Sequence, residues 1–128
     1  MLKNIYIALF SGLILCSLGC RKSVSEVNLD YQGTWQSEPI NISPGVFVEK
    51  VLVISDSQAV FGEYCDLSPT FSNCSEVFEG EAKINRTEKK IFVGPWKKQV
   101  VLRIDDPPHI NQSGEWECTL TSTKYIKE

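Results

Sequence analysis

The side chains able to do chemistry in this sequence are few, and their spacing separates the uses. Five cysteines stand at Cys16, Cys20, Cys65, Cys74 and Cys118. Cys65 and Cys74 flank the polar, turn-rich stretch Asp66-Leu67-Ser68-Pro69-Thr70-Phe71-Ser72-Asn73, and in an oxidising compartment such a pair staples its loop. The expected disulfide is Cys65–Cys74, which adds about 2–3 kcal/mol by constraining the unfolded chain. Cys118 is then a free thiol, a small buried hydrophobe between Trp116 and Leu120 on one strand face. A link from Cys118 to Cys65 or Cys74 is the competing arrangement. A three-thiol metal site is more remote, because no Cys-x-x-Cys spacing occurs and His109 is the single imidazole.

Catalysis has little to work with. His109 follows Asp105-Asp106-Pro107-Pro108, without a nucleophile on a sharp turn or a Gly-x-Ser-x-Gly segment. It reads as a solvated loop residue. Asp105-Asp106 lacks the alternating oxygen ligands of a calcium loop and reads as turn initiation. Glu79 and Glu81 share a strand face, so both reach solvent, and glycoside chemistry needs one of two carboxyls protonated in an apolar pocket. No catalytic residue, cofactor or metal centre is expected, and the chain does not read as an enzyme.

The tryptophans are the binding candidates. Trp96 lies in Gly94-Pro95-Trp96-Lys97-Lys98, a turn between two strands. It is expected to fold back over a barrel rim; an aromatic beside cations at such a tip can instead anchor a partner or a membrane interface. Trp35 and Trp116 read first as core aromatics, with ligand contact as the lesser possibility.

These residues sit on short apolar bursts separated by turn signals. Candidate strands are Tyr31 to Ser37, Val46 to Ile54, Ala59 to Cys65, Val77 to Ile84, Lys90 to Val93, Gln99 to Ile104 and Glu115 to Ile126. In the fourth, Phe78, Gly80, Ala82 and Ile84 face one way; in the sixth, Val100, Leu102 and Ile104 do; in the last, Trp116, Cys118 and Leu120. Asp105-Asp106-Pro107-Pro108 is expected to end its strand, since proline lacks the donor hydrogen. No segment holds a helical period. The expected fold is all-β, a single small antiparallel meander barrel or sandwich of about seven strands.

The first residues read as an address. Lys3 precedes an apolar run from Ile5 to Leu18, too short to span a bilayer and the size of a signal-peptide hydrophobic region. It ends at Leu18-Gly19-Cys20, and a small residue directly before a cysteine there resembles the bacterial lipobox. Ser17 stands where that pattern prefers leucine. The resemblance implies that Cys20 takes a diacylglyceryl group and becomes the N-terminus. Residues 1–19 are then a signal peptide, 20–30 a lipidated tether and 31–128 the β domain. An ordinary signal peptide, or an uncleaved anchor, is the alternative. Sequons at Asn41, Asn73, Asn85 and Asn111 would be glycosylation acceptors in a eukaryotic secreted chain.

Gly33-Thr34-Trp35 is similar to the Gly-x-Trp start of lipocalins and lipocalin-like bacterial lipoproteins. That resemblance implies that Trp35 plugs one end of a meander barrel, that Gly33 lets the chain pass close to it, and that a basic residue covers the ring, here Lys124 or Lys127. It covers the domain loosely, through strand count and order, and the domain is shorter than a typical lipocalin and shows no late helix.

Composition bounds the partners. The 128 residues are 42% hydrophobic and 23% charged, with net charge −3; losing residues 1–19 removes Lys3 and no acid, giving −4. A mildly acidic chain has no basic face for nucleic acid. The expected function is a membrane-anchored, exported, non-catalytic binding or accessory module of the bacterial cell envelope, held through Cys20 and contacting a small apolar ligand or an envelope protein. The alternative is an envelope structural lipoprotein or a lysozyme-type inhibitor.

Overall fold

The computed structural model describes residues 29–67 and 73–128; expectations for residues 1–28, including the lipid site at Cys20, lie outside them. Among the described residues nine strands appear in chain order: β1 (Gly33–Ser37), β2 (Ile40–Ser43), β3 (Val46–Ser55), β4 (Gln58–Cys65), β5 (Glu76–Asn85), β6 (Lys90–Val93), β7 (Val100–Ile110), β8 (Trp116–Leu120) and β9 (Thr123–Lys127). From β3 to β9 each strand pairs antiparallel with the next. β1 pairs with both β9 and β3, which closes an eight-strand barrel. β2 is the extra strand. It continues along the same side of β3 that β1 occupies, with Gly33↔Ile54 to Gln36↔Val51 followed by Ile40↔Val48 to Ser43↔Val46.

Alternation places one face of each of the eight barrel strands inside, while β2 buries none of its residues. Leu52 and Ile54, Ala59 and Phe61, Ile91 and Val93, Leu102 and Ile104, and Cys118 and Leu120 are all buried, with Trp35 and Tyr125 at 0% and 1% exposure. An eight-strand barrel is just wide enough for its own side chains to fill. Each large apolar side chain so buried contributes about 1.5–3 kcal/mol. Gly80 is where β5 meets the β6–β7 connection. A Cβ there would lie 2.9 Å from the Cα of Gly94, so any other residue would push the two segments apart.

The structure corrects four expectations. Tyr31 belongs to a 3-10 turn, Leu29–Tyr31, and β1 starts at Gly33. β2 adds a strand where none was expected. The segment Asp105 to Pro108 does not end its strand; β7 runs through it to Ile110, because register shifts leave both prolines outside the ladder with β8. The segment Glu115 to Ile126 is two strands turning at Thr121-Ser122, both at positive φ (49° and 64°). That turn lacks the usual Asn-Gly signature. It is held from β7: Arg103 and Thr121 exchange bonds (Arg103 N to Thr121 Oγ1 2.9 Å, Thr121 N to Arg103 O 2.7 Å), and Ser122 N donates to Asp105 Oδ2.

Cys65 and Cys74 are disulfide-bonded as expected, and Cys118 is a buried free thiol. Burial pushes the Cys118 thiol up to about 12, so almost none is thiolate at neutral pH. Non-reduced peptide mapping is therefore expected to recover Cys65 linked to Cys74. Cys118 is expected to resist alkylation until the protein is denatured. A native protein that alkylates at Cys118 within minutes would contradict this packing.

Candidate functional site

One end of the barrel is built around Trp35. Its ring is fully buried, and its Nε1 donates to the Tyr31 carbonyl at 2.9 Å, so the 3-10 turn lies across the barrel mouth. Lys127, the last residue of β9, extends over this end. Its Nζ stands 4.9 Å from the centre of the Trp35 ring and 5.0 Å from that of Trp116, and donates to the Asp30 carbonyl at 3.0 Å. A cation over two indole faces gains about 1–2 kcal/mol when partly desolvated. Burial lowers the Lys127 pKa, with the Asp30 carboxylate opposing that shift. Gly33 makes room for the lysine stem: a Cβ there would sit 3.2 Å from Lys127 Cδ, and its φ of 122° is one that side chains avoid. Of the two lysines considered, Lys127 covers the ring. Burial also raises the Tyr31 hydroxyl to about 12, so it stays neutral.

The β6–β7 connection, in a meander, lies at the opposite end. It forms a 3-10 turn, Trp96–Lys98, after Pro95. Its backbone is fixed: Gly94 N donates to Glu81 O at 3.1 Å, Lys98 N to Pro95 O at 2.9 Å, and Gln99 Nε2 to Gly94 O at 3.3 Å. Trp96 on this fixed turn is 85% exposed. It does not fold back over the rim, because Pro95 and the tight Gly94 contact turn the chain outward. A depression of about 410 Å³ beside it is lined by Gly80, Glu81, Lys83, Pro95, Trp96 and Gln99. The β2–β3 hairpin, at this same end by topology, carries exposed Ile42, Val46 and Phe47. Sequence reasoning missed this hairpin, since β2 is only four residues long. The signal available was Pro44-Gly45 before an apolar run.

The remaining nominated groups lie on the outer wall. Glu79 and Glu81 are exposed, as expected. Asp105 pairs with Arg103, whose hydrogen bond holds the carboxyl below its usual range. His109 is not a loop residue. It sits on β7 opposite Glu117, with Nε2 3.0 Å from Glu117 Oε1 and Nδ1 2.9 Å from the Pro107 carbonyl. The hydrogen bond to Pro107 raises its pKa, aided by Asp106 and Glu117 against desolvation. Asn111 Nδ2 donates to Glu117 Oε2 at 3.0 Å, and this bond is the main cause lowering the Glu117 pKa. Neither ring nitrogen of His109 contacts a hydroxyl or thiol in these bonds, so the constellation is not that of an activated nucleophile.

Trp96 is the testable element here. The intact protein is expected to show a red-shifted emission component quenched by acrylamide, and Trp96→Phe is expected to diminish it while leaving the blue-shifted emission of the other two indoles. A red-shifted, quenchable component undiminished in Trp96→Phe would contradict the exposure of this side chain, since Trp116 is only half-buried and can contribute the remainder.

No family model matches the chain, and comparisons with curated proteins and with solved structures likewise find no match.

Proposed function

We propose that this chain is an exported bacterial lipoprotein, acylated at Cys20, whose barrel is a non-catalytic binding module presenting the Trp96 turn to a partner. The observation that carries the reading is a large indole 85% in water on a turn with a fixed backbone. A pre-ordered exposed aromatic loses little conformational freedom on binding, which is why such residues make interface anchors. The inward side chains pack as one core cluster, which favours ligand contact at the rims, and so a protein surface over a small apolar ligand. Lys97 and Lys98 follow the indole in the turn and favour an acidic patch on the partner.

Support for the anchor comes from the sequence. The apolar run ending at Leu18-Gly19-Cys20 resembles the lipobox, with Ser17 in place of the preferred leucine, and two or more acyl chains at about 0.8 kcal/mol per methylene hold a protein on a bilayer. Support for a lipocalin-like architecture comes from Gly33, Trp35 and Lys127, which take the close-approach, plug and cover positions of the Gly-x-Trp pattern.

In a bacterial host, radiolabelled palmitate is expected to enter the wild-type product, and Cys20→Ala is expected to abolish both labelling and membrane retention. A photo-crosslinking residue at position 96 is expected to capture an envelope protein that the same residue at the outward Glu79 does not. An unlabelled product, or equal capture at both positions, would refute the proposal.

A further inference from the structure

We propose that Asp106, His109 and Glu117 form a binding site for a divalent transition metal, with Zn²⁺ the best match, on the outer wall of β7 and β8. One donor atom from each lies within 4.8 Å of the others. Spacing alone would forbid this. Residues 106 and 109 are an odd number apart and would face opposite sides of a regular strand. Between them β7 advances three residues while its partner advances two, from Thr119 to Glu117. The extra residue, placed where Pro107-Pro108 cannot join the ladder, turns Asp106 and His109 onto the face that carries Glu117.

Two of the three donors already stand at a separation that a shared metal allows. Ligands each about 2.1 Å from Zn²⁺ lie roughly 3.0–3.4 Å apart. His109 Nε2 and Glu117 Oε1 are 3.0 Å apart. A metal between them replaces the Nε2 proton and uses the same lone pair. The other ring nitrogen, Nδ1, faces the Pro107 carbonyl at 2.9 Å, the outer bond by which metal-binding imidazoles are oriented. Glu117 is likewise held from behind by Asn111, whose Oδ1 takes the amides of Ser113 and Glu115 at 2.9 and 3.0 Å. Asp106 closes the set by rotation. Its Oδ2 now pairs with the other ring nitrogen, Nδ1, at 3.5 Å, and its half-exposed side chain must turn from there to reach a metal at Nε2.

Charge and donor type select the class. Two carboxylates and one neutral imidazole leave a site of net charge −2, and mixed nitrogen and oxygen donors suit Zn²⁺, Co²⁺ or Ni²⁺ better than Ca²⁺ or Mg²⁺. Three protein ligands leave a fourth position open to water. Lys124, on β9 beside Thr119, is a cation that favours the charged form of Glu117.

The test uses untagged full-length protein in detergent, titrated with Zn²⁺ by calorimetry and with Co²⁺ by visible absorption. One equivalent is expected to bind, with a rise in Tm at about 100 µM Zn²⁺. His109→Gln and Glu117→Gln are each expected to weaken binding by at least about tenfold. Cys118→Ser is expected to bind as wild type. No heat, no Tm shift and no Co²⁺ spectrum would overturn the proposal, as would undiminished binding in His109→Gln. If His109→Gln fails to fold, Asp106→Asn decides, since Asp106 is exposed and holds no part of the core.

Discussion

A barrel exists only if its first and last strands find each other, and here that closure depends on Trp35. β1 is five residues long and must pair on both sides at once, with β9 through Trp35↔Lys127 and with β3 through Trp35↔Leu52. The indole fills the space beneath this seam, Tyr31 takes its N–H, and Lys127 lies across its face from the strand that completes the ring. Seam, plug and cover are thus one cluster. An open sheet of these strands would expose a long unpaired edge on β1 and on β9, both liable to pair with other chains.

That constraint explains where freedom remains. The end sealed by Trp35 and Lys127 is crowded, and Gly33 is required there because a side chain would meet the lysine stem. Among the described residues the far end is close-packed where Gly80 meets Gly94. β1 is interrupted at Glu38-Pro39, the chain leaves β9, and β2 carries on along β3 with one unpaired edge. Exposed apolar side chains at Ile42, Val46, Phe47 and Trp96 lie on that side, with Leu29 and Ile110 exposed toward the sealed end.

Much of this was legible in the residues. Period-two alternation identified the inward sets Val100-Leu102-Ile104 and Trp116-Cys118-Leu120, and the turn-rich loop identified the Cys65–Cys74 staple. What failed had local causes. Thr121-Ser122 adopts a left-handed turn only because Arg103 and Asp105, 16 or more residues earlier, bind its backbone, and no local rule sees that. Pro107-Pro108 reads as a strand end because a regular ladder cannot use it, whereas a bulged ladder can. The same bulge hid the grouping of His109 with Asp106 and Glu117, which is a matter of register between strands and not of sequence spacing.

The closed seam is tested most directly by native-state amide exchange along β1. The closed barrel predicts that the amides of Gly33 to Ser37 exchange as slowly as those of β4, through global unfolding, while those of Asn41 to Ser43 on the free edge exchange fast. Equal, fast exchange of β1 and β2 would mean that the first strand is an edge and that the barrel does not close.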